Sequence, residues 1–322
     1  MNWLLVPPAQ ADPVAHADWI ELEAIFSEDG ASSHQTLAAQ LRISGSTDAP
    51  SESEFDPYDS EREQSFVDAT GDRSNSIASD AWQEIERRFS HCGDEDGSYP
   101  FDVTQASIVL KDDGATSPYV FQVLLSKFGK DAVSGFHPER LFEELSAQAG
   151  FHYLGGAANQ SEFRLFGSPR EDGSTFVSAL TRLCSDLGEG NVRQNDPKIR
   201  RQKDGKLDVV VWRPFFDRRR SQLIAFGQCA TGHKWDEKLR ELDPLDFRES
   251  WLGSDGFNPW PVRMFFVPHC IPEKEWRTMA IKAGIIFDRC RISELVGSLE
   301  NALSKKCAEW SAVVIEEFRG KP

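Results

Sequence analysis

No apolar run in this chain approaches the roughly 20 residues needed to span a bilayer. The first eight residues contain only the short apolar run Trp3-Leu4-Leu5-Val6, without a basic flank or a small-residue cleavage site, so no signal peptide is expected. A soluble, cytoplasmic protein without membrane contact is the expectation. The six cysteines, Cys92, Cys184, Cys229, Cys270, Cys290 and Cys307, never fall in a C-x-x-C pair. That scatter argues against a zinc finger or a disulfide framework and for buried free thiols. The G-x-x-x-x-G-K-[ST], G-x-S-x-G and H-E-x-x-H patterns are all missing, and no internal repeat is present. Their absence removes phosphate-loop, nucleophile-elbow and zincin chemistry from consideration.

The chain has 322 residues, a 39% hydrophobic content and nine tryptophans, which suit one large or two ordinary globular domains with substantial cores. Its net charge of −16 is unevenly spread. Residues 1–135 carry 8 Lys and Arg against 25 Asp and Glu, whereas residues 136–322 carry 28 against 27. Residues 191–220 alone hold ten basic side chains and four acids. A local basic patch matters more for phosphate binding than net charge does, although a solvated loop has the same composition.

Periodicity and punctuation give an outline of the elements. Asp18–Phe26, Gln35–Ile43 and Ala81–Phe89 read as helices in an acidic setting, and 44–79 reads as a flexible loop rich in Ser, Asp and Glu. Asp94-x-Asp96-Gly97 matches part of a calcium loop but lacks the remaining ligand spacing. Ala106–Leu110 reads as a strand and Pro118–Phe128 as an apolar helix. Pro138 opens a helix to about Ala149, and Phe151–Phe166 suggests two short strands. Phe176–Leu187 repeats at helical spacing and ends at Gly188. Two apolar strands, 207–212 and 222–229, flank a basic turn. A helix over Thr231–Leu242, a strand over Val262–Val267, a helix over Glu273–Ala283, a strand over Ile285–Phe287 and a helix over Ile292–Ser304 follow. This order predicts an α/β fold, a mixed sheet flanked by helices, preceded by an acidic region at 1–135.

Within the paired strands, Asp208 is an acid in an apolar run, which is costly without a cation or hydrogen bonds to meet it. Gln228 stands where the second strand stops, and hairpin pairing puts the two side by side. Asp208 also suits an edge-strand residue paired with Arg213 or Lys206, and Gln228 a helix cap. Lys234 and Lys238, at i and i+4, place two cations after the strand.

These residues resemble the PD-(D/E)XK superfamily, the restriction-endonuclease-like fold, over roughly residues 137–300. The resemblance implies that Glu144, or Glu143, in Phe142-Glu143-Glu144-Leu145 is the helix acid and Asp208 the metal-binding aspartate. Gln228 then occupies the second acidic position, and the Cys229 main-chain carbonyl is a further metal ligand. Ala230 departs from the pattern, because the family's lysine belongs there. A lysine drawn from the next helix would be Lys234, then Lys238. The resemblance implies Mg²⁺- or Mn²⁺-dependent hydrolysis of DNA, within a bacterial defence or restriction-type system. Arg193, Arg200, Arg201, Lys203, Arg218, Arg219 and Arg220 would grip the backbone in a salt-dependent way. RNA is a weaker substrate alternative, homo-oligomers are possible, and the acidic region could shield the patch or bind a protein partner. The competing expectation is a catalytically inactive scaffold that recruits a helicase or other ATPase.

Overall fold

The computed structural model describes residues 4–46, 60–94, 97–167, 170, 173–193, 199–253, 255–297 and 302–319. The protein is mixed α/β and divides into two compact units, Met1–Leu124 with Ala308–Pro322, and Leu125–Cys307. Sequence reading had put the boundary at residue 135 and kept the C-terminal segment with the second half.

The first unit contains α1 (Pro13–Phe26), β1 (Ala31–Ser33), α2 (His34–Ser46), α3 (Ser60–His91), β2 (Phe101–Val103), β3 (Ser107–Leu110) and most of α4 (Pro118–Phe128) and α10 (Ala302–Phe318). Its sheet is antiparallel, in the order β1-β3-β2. α1 begins at Pro13 because Asp12 accepts the Val14 N–H at 2.9 Å, satisfying a first-turn donor. The expected loop at 44–79 is corrected by α3, which is helical from Ser60 onward. Its buried stripe runs through Ser74, Ala78, Ala81, Trp82, Ile85 and Arg88. Within the segment expected to be a loop this stripe is Ser74 and Ala78, small residues that carry little hydrophobic signal. Asp96 of the partial calcium loop lies outside the described residues.

The second unit is built on a five-stranded sheet. Its elements are α5 (Pro138–Tyr153), β4 (Glu162–Leu165), α6 (Phe176–Leu187), β5 (Val209–Arg213), β6 (Leu223–Cys229), α7 (Pro244–Trp251), β7 (Val262–Phe266), α8 (Glu273–Ala283), β8 (Ile285–Phe287) and α9 (Arg289–Val296). The strand order is β4-β5-β6-β7-β8, with antiparallel pairing up to β6 and parallel pairing beyond it. Alternation sorts the side chains to two faces. Val210, Trp212, Ile224 and Phe226 join α6 and Phe247 of α7 in one core. On the opposite face α5 lies so close that a Cβ on Gly150 would come within 2.8 Å of Val211 Cγ2, so glycine sets that approach. α9 packs on α5, and α8 covers β7 and β8.

Three local expectations are corrected. α5 runs on to Tyr153, which leaves one strand, β4, where two were expected. The segment 231–242 contains only a 3-10 turn, Trp235–Lys238, instead of a helix. The helix forms later as α7, where Asp243 accepts the N–H groups of Leu245 and Asp246 and Pro244 occupies the first turn. The helix expected at 292–304 is two helices, α9 and α10.

Candidate functional site

The chain enters β5 through a tight turn. Leu207 N–H bonds the Asp204 carbonyl at 3.3 Å, and Gly205 and Lys206 both have positive φ, +65° and +67°. Gly205 tolerates this, and a Cβ there would meet Phe247 at 2.9 Å. Lys206 does not tolerate it freely, and a left-handed residue of this kind costs roughly 1–2 kcal/mol. The strained turn delivers Asp208 to the position just before β5, at the rim of the sheet rather than within the strand.

There the main chain of Asp208 is fixed on both sides. Its N–H donates to the Gly227 carbonyl at 3.0 Å, and its carbonyl accepts from Phe166 at 2.7 Å and Gly167 at 3.2 Å. The Asp208 side chain accepts the Cys229 N–H at 2.8 Å through Oδ2. Pairing of Val209 with Gly227 continues the register so that Asp208 faces Gln228, as hairpin pairing requires.

The helix acid that the structure brings to Asp208 is Glu143. Its carboxyl lies over Gly167, where a Cβ would fall 2.8 Å from Glu143 Oε2. Burial, reinforced by the Asp208 charge, pushes Glu143 up to about 8. Burial likewise pushes Asp208 up to about 7, partly offset by the Cys229 N–H, with Asp204 adding to the rise and Lys238 and Lys206 opposing it. Burial, with Asp208 and Glu143, holds the Cys229 thiol well above its ordinary value, and the nearby Ser146 hydroxyl of α5 works the other way. Glu144, one residue on, lines the cleft beside Glu143 and acts electrostatically on Cys307.

The two candidate lysines separate. Lys234 is 82% exposed and stands 3.6 Å from Glu237. Lys238, at the end of the 3-10 turn, acts on Asp208. Ala230 is buried among Trp235, Leu239 and Phe265, where a lysine ammonium would be desolvated. Gln228 is buried and donates from Nε2 to Glu241 at 3.1 Å, while Lys206 reaches the same Glu241 oxygen at 3.3 Å. Glu241 was not foreseen, and only the path of the loop after β6 brings it to Gln228. Trp235 is a core residue, and it stacks on His269 with centroids 6.1 Å apart.

The expected basic grip is divided. The turn that carries Arg218, Arg219 and Arg220 closes the hairpin at the end opposite Asp208 and Gln228, across a five-residue strand of roughly 17 Å. Arg218 pairs with Glu162, Arg219 with Asp217 at 3.7 Å, and Arg220 with Asp255 through two hydrogen bonds. Arg193 places its Nε on the Leu252 carbonyl. Arg201 and Lys203 are exposed just ahead of the Asp204 turn, and the side chain of Arg200 lies outside the described residues. The site end gains Arg140, Arg164, Arg170 and Arg182, which line a cleft with Glu143 and went unnoticed in sequence because α5, β4, the segment before α6 and α6 each contribute one.

Among the described residues no three His, Cys, Asp or Glu side chains form a group able to hold a metal ion, and no helix is long and apolar enough to cross a membrane. Comparison with protein-family models, curated proteins and solved structures finds no match for this chain.

Proposed function

We propose that the second unit is a restriction-endonuclease-like domain that hydrolyses DNA phosphodiester bonds with a divalent metal ion. The observation that carries this reading is the meeting of Glu143 from α5 and Asp208 from the start of β5 beside the end of β6. Two carboxylates brought together repel unless a proton or a cation lies between them. The sheet order supports the same reading, with three antiparallel strands followed by parallel ones and α5 against the first of them.

The donor set suits Mg²⁺ or Mn²⁺. Mg²⁺ commonly takes one or two carboxylates and leaves its other positions to water and phosphate, so a protein cage of three acids is not required. Asp208 and Glu143 would hold the ion, with the Cys229 carbonyl and Gln228 as further oxygen donors. Such an ion would supply charge to a phosphate oxygen and lower the pKa of an attacking water. Asp208 stays oriented through its bond from the Cys229 N–H, and Glu241 fixes the amide of Gln228. Lys238 supplies the cation that the family draws from its usual lysine, in place of Ala230 and ahead of Lys234.

The test is nicking of supercoiled plasmid with Mg²⁺ or Mn²⁺ by wild type, Asp208→Asn and Glu143→Gln. The expected result is metal-dependent nicking that falls about 100-fold or more in each variant. Equal nicking by wild type and Asp208→Asn rejects the site. A second reading, a non-catalytic scaffold for a helicase or other ATPase, is favoured by the burial of Ala230 and the exposure of Lys234. It predicts no nicking with either metal, together with binding of a protein partner by the acidic first unit.

A further inference from the structure

The hairpin between β5 and β6 turns through two adjacent phenylalanines that stand in water. Phe215 is 62% exposed, and Phe216, at 88%, is the most exposed large apolar side chain among the described residues. Neither ring meets another ring or a cation there. Fraying does not account for this exposure, because the tip is held on both sides. Pro214 is buried before it, and Gln222 is buried after it and donates to the Leu187 carbonyl and, at 3.1 Å, to Glu189. Across the tip the Arg218 N–H donates to the Phe215 carbonyl at 3.0 Å, and the Arg219 N–H to Asp217 Oδ1 at 3.1 Å. Arg218 and Ser221 hold left-handed φ angles of +54° and +75°, uncommon for residues other than glycine and concentrated at functional sites. Single exposed apolar side chains are ordinary, but an adjacent aromatic pair on a constrained turn adds nothing to a core and marks a binding surface. Trp260, 50% exposed, precedes β7, which runs parallel to β6 and so starts at the same end of the sheet.

Charge selects the occupant. Residues 213–220 carry four arginines and one aspartate. Glu162 and Asp255 reach Arg218 and Arg220, and Asp217 stands 3.7 Å from Arg219, which is 85% exposed. Arg213 meets only the neutral amide oxygen of Asn159, at 2.8 Å, among the described residues. Exposed rings set among guanidinium groups match a single nucleic-acid strand, whose bases stack and whose phosphates attract the cations. An anionic bilayer suits the tip less well, since insertion would carry Asp217, Glu162 and Asp255 into the headgroup layer, whereas bases stack on the rings themselves. We infer that the Phe215-Phe216 tip is a base-stacking platform for single-stranded nucleic acid, with Arg213 and Arg219 against the strand's backbone. That the strand is a substrate rests on the nuclease reading above. The length of β5 separates this end from Asp208 by roughly 17 Å, about five nucleotides of a stacked strand, so one strand reaches both.

Fluorescence anisotropy with the full-length protein in EDTA tests the platform without any catalysis. The probes are labelled oligothymidylate and an abasic strand of the same length. They are titrated with wild type, Phe216→Ala, the double variant Phe215→Ala/Phe216→Ala, Phe216→Trp, Arg219→Gln and Asp208→Asn. Both phenylalanines are exposed, so their removal leaves the core intact. Oligothymidylate is expected to bind about tenfold more weakly to Phe216→Ala and about 100-fold more weakly to the double variant. Phe216→Trp should keep wild-type affinity, and the abasic strand should bind weakly and alike to all three. Arg219→Gln should lower the log–log salt slope by about 0.7, and an unchanged slope overturns the backbone contact. Asp208→Asn keeps the binding even though it abolishes nicking, so the stacking and catalytic readings fail separately. Wild-type affinity in the double variant, or equal wild-type affinity for the two strands, overturns the platform. So does the absence of oligothymidylate binding by wild type, and sedimentation with phosphatidylserine vesicles would then assign the tip to a bilayer surface.

Discussion

Glu21 in the first unit and Asp208 in the second are both carboxylates withdrawn from water, and their surroundings differ sharply. Glu21 is fully buried against Arg88, itself fully buried, at 2.9 Å. Arg88 also meets Asp18 at 2.8 Å, Glu84 at 2.9 Å and the Val14 carbonyl at 3.0 Å, while Tyr99 and Tyr119 donate to Glu21 at 2.8 and 2.7 Å. Burial pushes Glu84 up, but Arg88 and Arg87 outweigh it and leave its carboxyl below the ordinary range. Asp208 has one backbone N–H, lysines at a distance, and another acid as neighbour. A charge buried for stability is surrounded by partners. At the Glu143–Asp208 pair Arg140, Lys206 and Lys238 offset burial only in part, so both carboxyls stay above their ordinary values, a pattern that clusters at functional sites.

The sharpest way to break this contrast is to remove a partner in the first unit. Arg88→Met leaves Glu21, Asp18 and Glu84 uncompensated and is expected to cost about 3–5 kcal/mol, seen as a lower or lost calorimetric transition. Removing an acid in the second unit should act in the opposite direction. Glu143→Gln in EDTA at pH 8.5 is expected to stabilise by about 2 kcal/mol, which raises the melting temperature of a unit this size by about 4–8 °C. If it destabilises instead, the pair is not repulsive and the contrast fails.

The pH dependence carries the same sign. Glu143 and Asp208 titrate in the folded unit at about 8 and about 7, above their ordinary values of 4.5 and 3.8. The folded unit therefore keeps protons that the unfolded chain has released. That stabilising contribution is complete below about pH 4 and is lost as pH rises through 7 to 8. Metal-free melting of the second unit should decline over this window, and the decline should flatten in Glu143→Gln. Burial lowers the pKa of His16 in the first unit, so its contribution has the reverse sign and is lost as pH falls below about 6.5. The smallest effects distinguish the lysines. Lys238→Ala should slow nicking about tenfold, whereas Lys234→Ala should change neither nicking nor stability beyond about 0.5 kcal/mol.

Sequence alone revealed the parts whose signals are local. The continuous apolar runs of β5 and β6, the Gly188 cap and the pairing of Asp208 with Gln228 needed only local pattern and register. The choice between Glu143 and Glu144 could not be made, because it depends on the rotation of α5 against the sheet, which Gly150 helps to set. Lys238, and not Lys234, acts on Asp208, because 231–242 makes a 3-10 turn instead of the helix that i, i+4 spacing assumes. The Asp204-Gly205 turn signal was present in the sequence, as was the Asp243-Pro244 start of α7. Hairpin geometry also implied that Arg218–Arg220 lie at the far end from Asp208. Glu241 and the arginine cleft were not legible, since long-range packing alone assembles them.

The central claim is that Glu143 and Asp208 together make a cation site, and Mn²⁺ binding followed by electron paramagnetic resonance at pH 8 tests it most directly. The account predicts one bound ion in the wild-type protein, at least tenfold weaker binding in both Asp208→Asn and Glu143→Gln, and unchanged binding in Glu144→Gln. Wild-type Mn²⁺ affinity in Asp208→Asn would contradict it.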